Sequence, residues 1–274
     1  MINFCLFPVA GFGTRFLPVT KVVPKELLPI ISTPLIEYSI SEAAECKISN
    51  FIFVSNKYKS AIKEYFESHK YLESIVAGTE KESCLLNIEN LVKNSQLSFI
   101  NQSQMLGLGH AILQGKELIG NNPFAVILPD DLCYTKSDSV LMQMIKVSSQ
   151  FPDKSIVAIE EVSKKDVCKY GVIKGKSITP DKTLFSIDEM IEKPSIEEAP
   201  SNLAIIGRYI LQPDIFQEIE KINIDNRGEI QITDALNNLA KKGKVLAYKF
   251  SGIRMDCGTF EGYLSANNFF NNLR

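Results

Sequence analysis

Apolar runs and helical periodicities alternate along the first half of the chain. Short β-rich apolar runs occupy residues 3–9, 50–54, 97–101 and 124–128. Apolar residues at helical spacing predict helices at 34–47, about 79–94 and 109–119, and an amphipathic stretch that ends near residue 68. Because strands and helices take turns in this way, the pattern predicts a mostly parallel sheet with helices on both faces.

The pattern changes after about residue 153, where short β-runs follow one another. These runs occupy residues 155–160, 171–178, 183–191 and 203–211. Helical spacing returns at 213–221, 229–242 and 259–271, around one further strand at 245–250. We therefore predict an α/β fold with a Rossmann-like, mostly parallel central sheet, helices on both faces and a smaller β-rich portion. With no flexible linker visible, we expect a single domain over 1–274, with halves at about 1–150 and 151–274.

Composition narrows the possible partners. The 30 Lys and Arg residues nearly balance the 32 Asp and Glu residues, so no global basic field attracts nucleic acid or acidic lipid. The apolar start breaks at Pro8, too early for a secretory leader, and no run approaches the roughly 18 apolar residues of a membrane span. The six cysteines are scattered without zinc spacing, which is typical of reduced thiols in the cytoplasm. We expect no nucleic-acid and no membrane partner.

A glycine-rich loop follows the first predicted strand. Gly11 and Gly13, flanked by Ala10 and Thr14, let backbone N–H groups approach a phosphate or a base. A dinucleotide-binding loop would need a third glycine where Phe16 stands and an acidic residue closing the second strand, and the sequence has neither.

A second kind of phosphate loop, G-x-x-x-x-G-K-[ST], also fails to match. Its nearest approach, residues 171–177, is one residue short and lies between β-runs rather than before a helix. The loop after the first strand therefore stays the candidate for phosphate binding.

Three cations lie in or just after the glycine loop: Arg15, Lys21 and Lys25. Pro24 and Pro29 stiffen the backbone around Lys25. An isolated charge near such a loop is often only solvated, but this cluster favours a clamp for a triphosphate. Arg suits bidentate contacts with phosphate oxygens, and Lys acts as a movable point charge.

These segments resemble the signature of the sugar nucleotidyltransferases. The resemblance rests on residues 8–18, P-V-A-G-F-G-T-R-F-L-P, and residues 24–26, P-K-E, and it extends over nearly the whole chain. Two departures flank the loop: Leu27 stands where the family often has Met, and residues 32–33 are Ser-Thr where it commonly has an acidic–basic pair. Neither departure changes a residue of the proposed clamp.

Acidic residues follow the strand predicted at 124–128. Asp130 and Asp131 come at its carboxyl end, where ligands of open parallel sheets gather, and Asp256 lies far downstream before a glycine and a helix start. Asp256 alone is also found as a residue at the start of a helix. The resemblance implies that Asp130 and Asp256 hold Mg²⁺, which prefers oxygen ligands and keeps several waters. It leaves the role of Asp131 ambiguous.

A segment at 102–111 precedes a predicted helix. The Gln102 carboxamide could pair with the edge of a base, although a plain turn before a helix has the same pattern. The resemblance implies that Gln102 and Gly107 contact uracil. We interpret His110, in the first helical turn, as held by its neighbours and shaping the loop rather than as a general base.

Two short motifs lie at the ends of predicted strands in the β-rich portion. Y-G-V at 170–172 begins one run, and E-K-P at 192–194 ends another. Charged residues at strand ends are usually solvated. The resemblance implies that Gly171 and Glu192 line a hexose pocket and that Lys193 neutralises the phosphate of the sugar.

The resemblance implies Mg-assisted, in-line nucleotidyl transfer: UTP and α-D-glucose 1-phosphate give UDP-glucose and diphosphate. Arg15, Lys25 and Lys193 would hold the phosphates, with the nucleotide in the first half and the sugar in the second. It also implies a homodimer or homotetramer. Two alternatives remain, a thymidylyltransferase that makes dTDP-glucose and a noncatalytic nucleotide-sugar-binding regulatory subunit.

Overall fold

The structure, a computed structural model, describes residues 1–273. Its strands are β1 (Phe4–Pro8), β2 (Pro29–Ile30), β3 (Thr33–Pro34), β4 (Asn50–Ser55), β5 (Gln96–Asn101), β6 (Phe124–Ile127), β7 (Asp131–Tyr134), β8 (Ser155–Glu161), β9 (Gly171–Ser177), β10 (Leu184–Glu192), β11 (Leu203–Leu211), β12 (Val245–Lys249) and β13 (Ile253–Asp256). Its α-helices are α1 (Leu35–Glu45), α2 (Ser60–Glu64), α3 (Lys70–Val76), α4 (Glu82–Val92), α5 (Gly107–Gln114), α6 (Lys116–Ile119), α7 (Val140–Gln150), α8 (Asp214–Ile219), α9 (Ile232–Ala240) and α10 (Phe260–Asn272). Short 3₁₀ turns occur at Thr14–Phe16, Val19–Lys21, Lys25–Leu27 and Lys164–Lys169.

Nine of these strands form one mixed sheet in the order β5-β4-β1-β6-β11-β8-β12-β10-β9. The strands from β5 to β6 are all parallel, as the sequence pattern predicts. Beyond them, β8 and β12 are parallel, while β11 is antiparallel to both of its neighbours, β6 and β8, and β10 is antiparallel to β12 and β9. The α/β fold is confirmed, and the parallel character is confined mainly to the first half.

Helices cover both faces of the sheet because alternate strand residues point to opposite sides. In β1, Leu6 faces a core cluster completed by α5, α8 and α9, whereas Cys5 and Phe7 face a second cluster completed by α1, α2 and α7. The sheet therefore supplies a rigid base whose strand ends are free to carry loops. No helix within residues 1–273 is long and apolar enough to cross a membrane.

A separate two-stranded ladder, β7 with β13, lies outside the main sheet. It is antiparallel and pairs Asp131 with Asp256. Leu132 and Met255 bury their side chains in a third core cluster under this ladder. The ladder thus joins two segments that lie more than 100 positions apart in the chain, and neither strand is predicted from the sequence. Helix α7 is likewise not predicted.

A buried ion pair ties helix α1 to the sheet beneath this ladder. Arg208 of β11 is 1% exposed and donates from Nε and Nη2 to Glu42 at 3.0 and 2.8 Å. The other oxygen of Glu42 accepts the backbone N–H of Leu141, near the start of α7. Next to Arg208, the N–H of Gly207 donates to Asp131 at 2.6 Å. Strand β11 therefore holds α1 and α7 through Arg208 and Glu42, and its neighbouring residue Gly207 binds Asp131 at the end of the sheet.

A substitution of Phe53 tests the aromatic packing in the core cluster that contains Cys5 and Phe7. Phe53 is fully buried and stacks on Phe99 and Phe7, with ring centroids 4.8 and 5.1 Å apart. Phe53→Ala should lower the free energy of unfolding by about 3–5 kcal/mol, because it removes these contacts and leaves a cavity. Urea denaturation would measure the loss. As a control, Tyr71→Ala, at a ring that is 74% exposed, should change stability by under about 0.5 kcal/mol. Equal effects of the two changes would contradict this packing.

Candidate functional site

Polar and glycine residues gather where the parallel strands end. Gly11 follows β1, Asn56 follows β4, Gln102 follows β5 and Asp130 follows β6. These four strands are neighbours and parallel, so their carboxyl ends share one edge of the sheet.

Two open cavities meet at this edge. The loop cavity has a volume of about 270 Å³ and is lined by Pro8, Ala10, Gly11, Lys25, Gln102, Met105, Gly107, Leu108, Ala111, Leu128, Asp130 and Glu229. The carboxylate cavity, of about 350 Å³, shares Gly107, Leu108, Leu128, Asp130 and Glu229 with it, and adds among others Arg15, Tyr170, Gly171, Glu192, Lys193, Thr233, Arg254 and Asp256. Shared walls mean that two ligands could lie side by side with Asp130 between them.

The glycine loop presents unpaired backbone amides. Within residues 1–273, the N–H groups of residues 11–13 have no hydrogen-bond acceptor. The preceding carbonyls, by contrast, are held from the opposite side: Asn56 donates to Ala10, and the ammonium of Lys59 donates to Val9 at 2.8 Å. With those carbonyls fixed, the free N–H groups form a ready site for an anion.

Lys59 also forms a buried ion pair with Glu26, the neighbour of Lys25. Its ammonium lies 2.9 and 2.7 Å from the two carboxylate oxygens, and the two residues are 5% and 1% exposed. Burial raises the pKa of Glu26 and lowers the pKa of Lys59, in each case against the pull of the partner. Since burial costs both charges free energy, we attribute the pair to positioning of the loop and Lys25 rather than to stability alone.

Lys25 reaches across the loop cavity to Asp130. The ammonium lies 2.6 Å from Asp130 Oδ2. Burial disfavours both charges, but their mutual attraction prevails, raising the pKa of Lys25 and lowering the pKa of Asp130. Gly13 makes room for Lys25: it has a φ of 63°, and a Cβ there would lie 3.1 Å from the lysine Cβ. Both residues are therefore charged at neutral pH and face the cavity.

Asp130 and Asp256 converge over Gly258. A Cβ on Gly258 would lie 2.9 Å from Asp130 Oδ2 and 3.0 Å from Asp256 Oδ1, so only glycine leaves the space between the two carboxylates open. The backbone ties them together as well, because the N–H of Cys257 donates to the Asp130 carbonyl at 2.7 Å.

Two facing carboxylates fit a hard divalent cation such as Mg²⁺, which prefers oxygen ligands and keeps several waters. The residues described form no cluster of three His, Cys, Asp or Glu side chains suited to a metal. A cation here would therefore take its remaining ligands from water and substrate. The donor set fits that requirement.

Arg254, which sequence reasoning does not assign to the site, organises its acids. It is 5% exposed at the side chain and lies 2.5 Å from Asp131, 2.7 Å from Glu160 and 3.7 Å from Asp256. Its guanidinium also lies over the ring of Tyr170, 4.7 Å from the centroid. The hydroxyl of Tyr170 donates to Asp256 Oδ2 at 3.1 Å, and the N–H of Gly258 donates to Asp256 Oδ1 at 3.1 Å.

Asp131 accepts hydrogen bonds from two protein donors. One of its oxygens accepts from Arg254 and the other from the Gly207 N–H, and the side chain is almost fully buried. Because both of its oxygens have protein partners, we infer that Asp131 supports the neighbouring acids.

Helix α5 begins against the loop cavity. Gly107 has a φ of 86°, and a Cβ there would lie 2.8 Å from the Cβ of Glu229. The segment before α9 is fixed here, since the N–H of Gly109 donates to Ile230 at 2.9 Å and the N–H of Ile230 donates to Leu106 at 2.8 Å. Glu229 is thus held in the wall that the two cavities share, a position that the sequence does not predict.

The far end of the carboxylate cavity is built around Glu192. Thr233 donates to its Oε2 at 2.6 Å, while Lys193 Nζ lies 3.6 Å from its Oε1. A Cβ on Gly171 would lie 3.0 Å from the Thr233 hydroxyl and 3.1 Å from Glu192 Oε2, so a larger residue would crowd this contact. Lys193 adopts a φ of 47° and donates its N–H to Tyr170 at 3.0 Å. The backbone of Lys193 is therefore held in a strained conformation, while its partly exposed ammonium lies beside a carboxylate at the cavity, an arrangement that suits a polar ligand carrying a phosphate.

The structure brings together most of the predicted residues. Ala10, Gly11, Lys25, Gln102, Gly107 and Asp130 line the loop cavity, and Arg15, Gly171, Glu192, Lys193 and Asp256 line the carboxylate cavity. Gly13 lines neither cavity and contacts Lys25, and Thr14 lines a different cavity. The segment 171–177 is strand β9, which agrees with its rejection as a phosphate loop.

His110 lies in the first turn of α5, where its ring contacts Gln102 and Gln114. This placement agrees with the interpretation of His110 as a residue held by its neighbours. The six cysteines form no disulfide. Among the supporting residues, Arg254 carries a sequence signal, since it alternates with Asp256 on one strand. Lys59 and Asn56 carry none.

The fold and site together define an α/β protein that places anion-binding amides and lysines opposite a carboxylate pair. Comparison with known proteins gives a family for this class of fold and site. A sequence profile of the nucleotidyl transferase family matches residues 9–272. The chain therefore belongs to the nucleotidyl transferase family, whose members generally use a divalent metal.

Individual relatives cover nearly the whole chain. A UTP–glucose-1-phosphate uridylyltransferase of Pseudomonas aeruginosa is 52% identical over 98% of this chain and 96% of its own. The crystal structure of an apo UDP-glucose pyrophosphorylase matches with a TM-score of 0.94 and 48% identity, covering all of both chains. A UDP-glucose pyrophosphorylase complexed with UDP-glucose matches with a TM-score of 0.91 and 46% identity, also over both full chains.

Lys59→Met tests the support of the glycine loop. The change leaves the Glu26 carboxyl buried without its partner and should cost about 3 kcal/mol of folding stability, measured by urea denaturation. The double change Lys59→Met/Glu26→Leu should recover most of that stability. If Lys59 positions the loop, nucleotide affinity measured by calorimetry should stay reduced in both variants. Full affinity in the stable double variant would show that the ion pair has no positioning role.

Proposed function

We propose that the chain transfers a uridylyl group from UTP to α-D-glucose 1-phosphate and so produces UDP-glucose and diphosphate. The observation that carries this proposal is Asp130, which lines both cavities and faces Asp256 across the gap at Gly258. A reaction between two anions needs a shared wall of this kind, where both can be held side by side. The names of the Pseudomonas relative and of the two solved structures support the same reaction.

The first half of the chain binds the nucleotide in this proposal. The uracil lies in the loop cavity against Gln102 and Gly107, where Met105, Leu108 and Ala111 offer apolar surface to a flat ring. The triphosphate lies along the glycine loop, bound by the free amides that follow Ala10, by Arg15 and by Lys25. We keep Gly13 and Thr14 among the nucleotide-binding residues, although neither lines the loop cavity.

The second half binds the sugar phosphate. Gly171 and Glu192 line the hexose pocket, and Lys193 neutralises the phosphate that attacks. Support comes from Glu192, which lines the carboxylate cavity and accepts from Thr233 at Oε2, while Oε1 lies 3.6 Å from Lys193 Nζ. A carboxylate fixed in this way can accept hydrogen bonds from sugar hydroxyls.

The reaction is an in-line displacement at phosphorus. An oxygen of glucose 1-phosphate forms a bond to the α-phosphorus of UTP, and the bond from that phosphorus to the bridging oxygen of diphosphate breaks. The attacking phosphate has a second pKa of about 6, so it needs no protein base at neutral pH. The residues of the site therefore act by alignment and charge neutralisation, which can supply most of the rate.

Asp130 and Asp256 would hold Mg²⁺ in this proposal. The balance of charges at the site supports it. Within residues 1–273, two cations, Lys25 and Arg254, form ion pairs with four acids, Asp130, Asp131, Glu160 and Asp256, so the acids outnumber the cations that pair with them. When bound, the ion would supply charge neutralisation and a template for the substrate phosphates.

We further propose that the enzyme works in the cytoplasm as a homodimer or homotetramer. The resemblance of the chain to sugar nucleotidyltransferases supports the oligomer. Six unpaired cysteines and the lack of a membrane-crossing helix within residues 1–273 are consistent with that location.

Pyrophosphate release with Mg²⁺ and glucose 1-phosphate tests the proposed reaction. UTP, dTTP, ATP and GTP would be supplied separately, and we expect strong preference for UTP, abolished by EDTA. Preference for dTTP would instead indicate a thymidylyltransferase. Tight nucleotide-sugar binding without release of pyrophosphate would indicate a noncatalytic regulatory subunit.

Asp130→Asn and Asp256→Asn test the metal assignment. Each removes one charged oxygen ligand and should lower kcat at least ~100-fold while the fold survives. Each should also weaken Mn²⁺ binding, measured by electron paramagnetic resonance without substrates. Asp188→Asn, at an exposed acid of β10, is the matched control and should change neither quantity. Near-normal turnover or metal binding in either site variant would exclude that residue as a ligand.

A further inference from the structure

His110 lies beside the residue that faces the base, yet the proposed reaction gives it no task. Gln102 Nε2 lies 2.9 Å from His110 Nδ1, and the other ring nitrogen of His110 lies 3.1 Å from the Gln114 carboxamide. The imidazole thus connects Gln102, which is 3% exposed, to a half-buried residue one helical turn further along α5. Such a chain of contacts can fix how the Gln102 amide is turned.

The orientation of that amide follows from its acceptors. A carboxamide has one end that only accepts and one that only donates, and a half-turn exchanges them. Gln102 Nε2 also faces the carbonyl of Gly107 at 3.4 Å, and a carbonyl can only accept, so the NH₂ end must lie on this side. Since that NH₂ group cannot accept, His110 Nδ1 must be the acceptor and carry no proton.

The remaining contacts agree with a neutral His110. Burial lowers the pKa of His110, which favours the uncharged ring at neutral pH. The proton of the neutral ring then lies on Nε2, which faces the carboxamide of Gln114. In the structure the NH₂ end of that amide lies 3.1 Å from Nε2 and 3.4 Å from the His110 carbonyl, so a half-turn of this half-buried side chain, at the expense of the second contact, brings its oxygen to the ring as the acceptor. Nδ1 of the imidazole thereby faces Gln102, while Nε2 faces Gln114 on the other side of the ring.

The opposite end of the Gln102 amide is left for a ligand. Within residues 1–273 its Oε1 has no hydrogen-bond partner, and Gln102 lines the loop cavity. This end can only accept, so it matches a base whose edge carries an N–H. Uracil has such a group at N3, whereas N3 of cytosine is itself an acceptor and would oppose Oε1.

We propose that His110 is a specificity-determining positioning residue that fixes the Gln102 amide with its oxygen toward the base and so selects UTP over CTP. The inference rests on the proposed function, because it requires that the base of UTP lies against Gln102. Thymine carries the same N3–H as uracil, so this contact separates UTP from CTP and leaves dTTP accepted.

Three variants test this proposal by the ratio of kcat/KM for UTP to that for CTP. His110→Leu removes the acceptor, which frees the amide to turn, and should lower the ratio about tenfold or more, mainly through KM for the nucleotide. Its KM for glucose 1-phosphate should not change. His110→Asn offers Oδ1 close to the position of Nδ1 and should restore most of the ratio. His69→Leu, at the exposed second histidine of the chain, is the matched control and should leave the ratio as in the wild type.

A double-mutant cycle separates positioning from a general structural effect. In a Gln102→Leu background no amide remains to be turned, so adding His110→Leu should not lower the UTP:CTP ratio further. An unchanged ratio in His110→Leu, or an equal further loss in the Gln102→Leu background, would overturn the proposal. If either outcome occurs while the wild-type enzyme still prefers UTP, the proposed function stands and only the role of His110 is refuted. If the wild-type enzyme is inactive with UTP, the proposed function itself is refuted.

Discussion

The site depends on the guanidinium of Arg254. Four carboxylates lie together at the carboxyl end of the sheet, and like charges at such distances disfavour one another in a buried setting. Arg254 contacts three of them, Asp131, Glu160 and Asp256, while Lys25 neutralises the fourth. The β7–β13 ladder that carries Arg254 also sets Asp256 opposite Asp131. One short antiparallel pairing therefore both concentrates the acids and supplies the cation that makes their proximity tolerable.

The rest of the site is arranged around this acidic centre. On one side the glycine loop presents free amides, and Lys59 and Asn56 hold its carbonyls away from the cavity. On the other side, Glu192 and Lys193 close a cavity whose wall includes Asp130. Positive groups thus face the acidic centre from two directions, which suits two phosphate-bearing ligands that must approach each other.

Much of the fold could be predicted because long apolar runs carry its main strands. The predicted run at 124–128 becomes Phe124–Ile127, and the run at 203–211 becomes Leu203–Leu211. Helix α7 was missed although Ser139 caps it and apolar residues follow at helical spacing. The β7–β13 ladder could not be predicted, since each strand has only four residues and its stability comes from tertiary burial. Strand direction in the second half likewise follows from packing rather than from local pattern.

Sequence reasoning pointed to many of the charged and glycine residues that line the two cavities, but not to the residues that support them. Asp130 and Asp256 are indicated by motif, but nothing local shows that one residue, Gly258, keeps the space between them open. Lys59 looks like any surface lysine until the fold places it under Val9 and Glu26. Supports of this kind come from parts of the chain that meet only after folding, and their roles are therefore invisible in the local sequence.

A crystal structure of the chain with Mg²⁺ and UDP-glucose would test the central claim most directly. The account predicts one ion in contact with both Asp130 and Asp256, with the uracil in the loop cavity and the glucose beside Glu192. An ion bound away from either aspartate, or a nucleotide outside the loop cavity, would contradict it.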